Sequence, residues 1–206
     1  MAKKLSKVEK PPVKKFEKGR KLFFVTLIFS LEEPGPELKE LMDKYWQQVR
    51  EQLDKLEGKL SQVNKVYHEL ISDTGEEGIK AMNEMATGSK QIVKDCLERN
   101  AEFHPVEDRD MLREFIDWNQ CISVGLLSKK VFDHINKFYA EIQKKRQEHI
   151  AGIIDETLRS DEIGLLVMRE GCDVQFPPDI QVFYIAPPAL DEVKQCLWKS
   201  GYSCEE

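Results

Sequence analysis

Residues 164–188 read GLLVMREGCDVQFPPDIQVFYIAPP, which is two apolar runs separated by a polar segment with one glycine and a pair of prolines. Short apolar and β-branched runs bounded by turn residues are typical of buried strands. The pattern predicts strands over 163–168 and 179–186 with a turn at 171–173 between them. Both runs are apolar on both sides, so we expect them in a sheet with covered faces.

The same patterns extend to the rest of the chain. They predict, in chain order, a strand over 21–30, a helix from Glu37 to about Gly58, a strand over 63–71, helices over 79–97, 111–122 and 129–158, and a helix over 187–199. The segment NAEFHPVEDRD (100–110) contains a proline and is predicted to be a connector. The helix over 129–158 is predicted to turn a core stripe inward, consisting of Val131, Phe132, Ile135, Phe138, Tyr139, Ile142, Ile150, Ile153, Ile154 and Leu158. This alternation predicts a helix-rich α/β fold, with a small, mostly parallel sheet covered by many helices.

Charge divides the chain unevenly. Residues 1–20 contain eight Lys and Arg against two acids, and the other residues contain 23 against 35. We therefore expect a flexible basic arm over 1–20, a single α/β domain over 21–200 and a short tail over 201–206. The arm could be a solubilising tail, a contact for an acidic protein or nucleic acid, or a segment that folds over the acidic body. An acidic body makes nucleic acid an unfavourable partner for the folded part.

The composition and motifs of the sequence also predict where the protein is located and whether it binds a metal or cofactor. No apolar run approaches the length of a membrane span, and the run over 21–30 lacks the features of a signal peptide, so no membrane partner is expected and the expected location is the cytoplasm. The five cysteines form no close pair, which argues against a zinc site and a disulfide framework. Phosphate-binding glycine motifs and the GxSxG elbow are absent from the sequence. We expect no metal and no cofactor.

A candidate pocket is predicted from the strand ends, because ligands of open α/β sheets lie beyond the carboxyl ends of the strands. The carboxyl end of the predicted strand 163–168 supplies Arg169, Cys172 and Asp173, and the pocket is completed by Arg146 and Glu107, which follow no predicted strand. A thiolate at Cys172 would be stabilised by Arg169 but opposed by the carboxylates beside it, which favours an ordinary thiol in a turn.

The other titratable residues are interpreted as structural. The pairs Glu76–Glu77, Glu107–Asp108 and Asp161–Glu162 are predicted to complement helix amino termini. The four histidines, which form no metal-binding motif, are predicted to lie at the surface or half-buried: His68, His104, His134 and His149.

The carboxyl-terminal part resembles a family of uncharacterised prokaryotic proteins that is distantly similar to the TraB and erythromycin-esterase group. The matching residues are Arg146, Ile150, Ala151, Thr157, Leu158, residues 164–166 and residues 179–182. The turn departs from the family pattern, since Cys172 holds the position of its histidine, and Arg169 and Glu170 that of its Gly–Ala pair. If the family site depends on that imidazole, the resemblance implies an activity that this chain has lost or changed.

Two functions follow as hypotheses. The first is a non-enzymatic binding or accessory protein, a subunit of a larger complex, with a protein partner contacted through residues 1–20 and homo-oligomerisation left open. The missing catalytic motifs and the oppositely charged arm favour it over an enzyme. The second is an enzyme or small-molecule binder of the TraB and erythromycin-esterase type, with a pocket near Arg146 and Cys172.

Overall fold

The computed structural model describes residues 18–28, 34–84, 88–171 and 173–199. Most of the predicted arm, the predicted tail and Cys172 lie outside these residues. Within the described ranges, no helix is both long enough and apolar enough to cross a membrane.

The structure confirms the α/β fold and its helix-rich composition. In chain order its elements are β1 (Lys21–Thr26), α1 (Pro36–Glu57), β2 (Lys65–His68), α2 (Gly75–Glu84), α3 (Ser89–Glu98), β3 (Glu102–Pro105), α4 (Arg109–Ser123), α5 (Lys129–Thr157), β4 (Ile163–Met168), β5 (Gln181–Ile185) and α6 (Ala189–Lys199). The five strands form one sheet in the order β3-β2-β4-β1-β5, and every neighbouring pair is parallel.

The direction of the connections decides which face each helix covers. The chain moves toward one edge of the sheet from β1 to β2 and β3, and then returns toward the other edge to reach β4. Because crossovers between parallel strands are right-handed, the two directions place their helices on opposite faces. Residues of α1, α2, α3 and α6 accordingly share one core with Phe23, Val25, Leu165 and Val167. Residues of α5 share the other core with Leu22, Phe24, Leu166 and Met168.

The presence of β3 and the lengths of β1 and β2 differ from the sequence prediction. The predicted connector 100–110 contains β3, a short strand that pairs only with β2 at the edge of the sheet. An edge strand tolerates Pro105 because one side of its backbone pairs with no strand. The strands predicted over 21–30 and 63–71 are shorter, ending at Thr26 and spanning Lys65–His68.

The start of the domain lies inside the predicted arm. The Arg20 guanidinium donates to both oxygens of Asp179 at 2.7 and 2.9 Å and forms an ion pair with Asp155 at 2.7 Å. The Gly19 N–H donates to Asp161 at 2.8 Å. Residues 19 and 20 are thus fixed to the body and belong to the folded domain.

The helices α4 and α5 pack against each other as a hairpin. Residues 146–157, here the inner half of α5, lie against the sheet, with Ile150 and Ile154 fully buried. Residues 129–145, here the outer half, extend about 25 Å at 1.5 Å per residue. Since Arg146 contacts the residues after β2 and β3, the outer half projects beyond the carboxyl edge of the sheet.

The predicted core stripe of α5 is only partly buried. Ile142, Ile150, Ile154 and Leu158 are buried as expected, but the side chains nearer the amino terminus of the helix are not. Val131, Phe132 and Phe138 are 45%, 43% and 42% exposed. The sheet does not extend far enough to cover them, and α4 contacts only part of the apolar face. The stripe is therefore a core over the inner half and a surface over the outer half.

Candidate functional site

Charged residues end three neighbouring strands at one edge of the sheet. Glu69 directly follows β2, Arg169 directly follows β4, and Glu107 lies two residues after β3. The chain leaves β2 toward one face and leaves β3 and β4 toward the other, which is the kind of switch point where open α/β sheets place ligands. Arg146 joins these residues from α5. The four side chains are called the charge cluster below.

Arg146 is the buried centre of the charge cluster, with 1% of its surface exposed. Its Nε donates to Glu107 at 2.7 Å, and its Nη2 donates to Glu69 at 2.8 Å and to the second oxygen of Glu107. Burial lowers the pKa of Arg146, but the bond to Glu107 and the charge of Glu69 outweigh it, so the pKa lies above its ordinary value. A guanidinium already stays protonated in proteins, and here its charge is fixed.

Glu69 connects Arg146 to the end of β4. One carboxylate oxygen accepts from the Arg169 N–H at 2.6 Å, and the other accepts from Arg169 Nε at 2.9 Å. Burial raises the pKa of Glu69, but the charges of Arg169 and Arg146 lower it by a larger amount. The pKa of Glu69 therefore lies below its ordinary value. Glu69 is therefore ionised near neutral pH, although it is fully buried.

The ring of Phe115, from α4, covers both arginines. The guanidinium carbons of Arg146 and Arg169 lie 4.7 and 5.4 Å from its centroid, within cation–π range. Tyr139 of α5 stacks on the same ring at 5.3 Å. Nη1 of Arg146 is buried and has no hydrogen-bond partner among the described residues, so the ring of Phe115 provides a favourable contact for a guanidinium that is not fully hydrogen-bonded.

The backbone directly after β2 has an unusual conformation next to the charge cluster. Leu70 has φ 71°, in the left-handed region that a leucine rarely adopts. Its N–H donates to Glu107 at 3.0 Å. Strained backbone persists where the surroundings determine it strongly, and here the carboxylate that holds Arg146 also holds the turn.

The charge cluster is a set of mutually compensating ion pairs that hold structural elements together. Two carboxylates balance two guanidiniums, and the low pKa of Glu69 keeps it from exchanging a proton near neutral pH. General acid–base catalysis needs a group that titrates near the working pH, so Glu69 is poorly suited to it. The bonds of the charge cluster instead fix the inner half of α5 to the ends of β2, β3 and β4.

A second feature of this edge is an open groove of about 130 Å³ at the ends of β1 and β5. Phe24, Val174, Phe176 and Leu190 contribute apolar walls, and Glu170 lies at its border. We call it the carboxyl-edge groove. Arg146 does not line it, because the charge cluster and Phe115 enclose that side chain.

His68 and Ser89 form a buried polar pair on the other face of the sheet. The imidazole Nδ1 lies 2.6 Å from the Glu69 carbonyl, which can only accept, so Nδ1 donates and Nε2 accepts from the Ser89 hydroxyl at 3.0 Å. Burial lowers the pKa of His68. The prediction of a surface or half-buried His68 is wrong, since both side chains are fully enclosed. That enclosure leaves the hydroxyl no access to a substrate.

The structure brings together three of the five predicted pocket residues: Arg146, Arg169 and Glu107. Asp173 lies in an exposed loop after Gly171, and Cys172 lies outside the described residues. The prediction that Glu107 complements a helix terminus is wrong, because Arg146 binds it in the interior, while Asp108 caps α4. Asp161 and Glu162 precede β4 and not a helix.

Sequence reasoning missed Glu69 as a member of the cluster, although a signal for it exists. Arg146 lies in a stripe of apolar residues spaced four apart, between Ile142 and Ile150, and all three are buried. A buried arginine requires a carboxylate partner. Glu69, an acid directly after a buried strand, meets that requirement.

The loop at the end of the hairpin is apolar and basic. We call residues 124–132 the hairpin tip. Leu127 is fully exposed and Val124 is 74% exposed, and Lys129 and Lys130 are exposed beside them. No acidic residue occurs between Asp117 and Asp133. The tip therefore carries positive charge on a chain with a net charge of −6.

No family model, curated protein or solved structure matches this chain. The resemblance of its carboxyl-terminal part to the TraB and erythromycin-esterase group therefore stays a prediction.

Proposed function

We propose that this chain is a non-catalytic, cytosolic protein-binding protein, an accessory component of a larger assembly, and that the hairpin tip is its main binding element. The observation that carries the proposal is the exposure of the apolar side chains Val124, Leu127, Val131 and Phe132 on a hairpin that extends beyond the sheet. Apolar side chains grouped on a projecting surface mark protein-binding sites.

The charge cluster supports this function by holding the hairpin in place. Arg146 is the first residue of the inner half of α5 and directly follows the outer half, and its carboxylate partners come from the ends of two strands. At the base of α4, Arg109 forms an ion pair with Asp73. A binding element on a fixed base loses less conformational entropy on association.

The electrostatics of the tip indicate the chemistry of the partner surface. Lys129 and Lys130 lie between Leu127 and Phe132 in sequence, so the complementary surface is an apolar depression bordered by carboxylates. A second contact through the basic residues 1–20 belongs to the same proposal.

The test compares proteins retained by the full-length chain and by two variants. Leu127→Asp places a charge at the tip, and Trp198→Asp makes the same kind of change at an 84% exposed position on α6. We expect at least one stoichiometric protein, including a second copy of the chain, to be lost with Leu127→Asp and kept with Trp198→Asp. Equal retention by both variants and the parent would contradict the proposal.

A small-molecule binder or enzyme of the TraB and erythromycin-esterase type is the second candidate, and the carboxyl-edge groove favours it. The groove borders Gly171, so it lies next to the turn in which the family has its histidine. Native mass spectrometry of the purified chain tests this candidate. A co-purifying small molecule that is lost in Ala186→Trp, which fills the groove, would support it over the first proposal.

A further inference from the structure

We infer that the partner of the hairpin is a second copy of this chain, in a two-fold dimer whose hairpins lie side by side and antiparallel. Each hairpin tip then reaches the carboxyl-edge groove of the other copy. The inference rests on the proposed function, since it identifies the occupant of the same binding element. Three observations carry it: the position of the tip and groove, the charges of the two helices, and the match between tip and groove.

The first observation is that the tip and the groove lie at the same end of the molecule. The hairpin projects beyond the carboxyl edge of the sheet, and the groove opens at the carboxyl ends of β1 and β5. Two copies that face each other through this edge bring each tip toward the opposite sheet. The space between the sheets, about 25 Å from the length of the outer half, is then filled by the hairpins themselves.

The second observation is the opposite charge of the two hairpin helices. The helix α4 carries three acids (Asp110, Glu114 and Asp117) against two arginines. The outer half of α5 carries five lysines against Asp133 and Glu141. Pairing α4 of one copy with α5 of the other brings opposite charges together, whereas pairing α5 with α5 brings lysines together. Antiparallel hairpins paired in this way form a four-helix bundle, which covers the partly exposed Ile116, Phe132 and Phe138.

The third observation is the complementarity of the tip and the groove. Leu127 is a fully exposed aliphatic side chain, and the groove is an apolar depression of about 130 Å³. Lys129 and Lys130 are two and three residues from Leu127, and the groove is bordered by Glu170, whose carboxylate also forms an ion pair with Lys194 of the same chain. The groove thus has the chemistry expected for a partner surface of the tip.

The arrangement is closed. Each copy contributes one tip and one groove, so a two-fold axis satisfies both and leaves no unpaired binding surface. This explains how a chain with several exposed apolar side chains on one projecting element avoids open-ended association.

The mass of the full-length chain in solution, measured by light scattering on a size-exclusion column, tests the inference. We expect twice the 24.0 kDa of one chain. Leu127→Asp should weaken the dimer at least tenfold, as removal of a central contact does, and Trp198→Asp should leave the dimer unchanged. A parent chain of single mass would overturn the inference.

Cross-linking tests the arrangement. Under oxidation, a mixture of Leu127→Cys chains and Ala186→Cys chains should form an intermolecular disulfide between positions 127 and 186, identified by peptide mass spectrometry. A mixture of Leu127→Cys with Arg159→Cys, which lies at the amino edge beyond α5, should not. A dimer without the 127–186 link would overturn the arrangement.

The two proposals fail in different ways. If the parent chain is monomeric and binds another protein stoichiometrically, and Leu127→Asp abolishes that binding, the dimer inference is overturned but the proposed binding function stands. A monomeric chain whose bound proteins are the same for the parent and Leu127→Asp overturns both.

Discussion

The two halves of α5 share one helix and one apolar periodicity but have different surroundings. The inner half packs on the sheet, and Arg146 at its start is bound by carboxylates from two other segments. The outer half contacts α4 and leaves Val131, Phe132 and Phe138 partly exposed. An apolar stripe therefore shows which face of a helix avoids water, but not whether the same chain covers that face.

The largest expected effect concerns the charge at the start of the inner half. Arg146→Met keeps the length of the side chain but leaves the Glu107 carboxylate buried without its cation, which costs about 3–5 kcal/mol when a buried pair is broken. The free energy of unfolding, measured with urea, should fall by that amount.

The matched control for Arg146→Met lies two residues away. Lys144→Met removes an exposed cation of the outer half, whose ion pair with Glu148 spans 3.8 Å at the surface. It should change the free energy of unfolding by less than about 0.5 kcal/mol. Similar values for the two variants would mean that the charge cluster does not anchor the helix.

The next effect compares two phenylalanines. Phe115 is buried over both guanidiniums, so Phe115→Ala should cost about 3–5 kcal/mol. Phe132 is partly exposed at the tip, so Phe132→Ala should cost less than about 1 kcal/mol in the Leu127→Asp background, where no second copy covers it. Both are read from urea unfolding, and a larger cost for Phe132 there would show that the outer half has an intramolecular cover.

A smaller effect depends on pH. Burial lowers the pKa of His68, so as pH falls below about 6.5 the unfolded chain binds a proton that the folded chain excludes. Stability is therefore full above that pH and declines below it, by at most about 1.4 kcal/mol per pH unit. Glu69 adds its own loss only below its unfolded pKa of about 4.3.

Two variants separate this contribution from those of the other histidines. His68→Gln should flatten the dependence of unfolding free energy on pH between about 6.5 and 5. The same change at the exposed His134 is the matched control. An unchanged slope in His68→Gln would show that His68 binds a proton in the folded state.

The sheet was largely predictable because its central strands are nearly continuous apolar runs. The sequence of β4, IGLLVM, is fully buried, and its period and length leave few alternatives. The edge strand β3 was not predictable from the same signal. Its residues EFHP are partly exposed and end in a proline, so the strand depends on pairing with β2 and not on its own composition.

The charge cluster was predictable only in part, for a similar reason. Arg146 bonds to Glu107 and Glu69 across 39 and 77 residues, and Arg169 bonds to Glu69 across 100. The predicted end of β4 places Arg169 at the carboxyl edge of the sheet, whereas Glu107 follows β3, a strand that the sequence does not predict. The strand order that makes β2, β3 and β4 neighbours is a property of the whole chain, and without it Glu69 has no assigned partner.

Amide hydrogen exchange along α5, compared between the parent chain and Leu127→Asp, tests most directly whether the outer half is a binding surface. Peptides from residues 129–145 should be more protected in the parent chain, because a second copy covers them. Residues 146–157 should be equally protected in both proteins, because the sheet and the charge cluster hold them in either case. Equal protection of residues 129–145 in the two proteins would show that the outer half is not a binding surface.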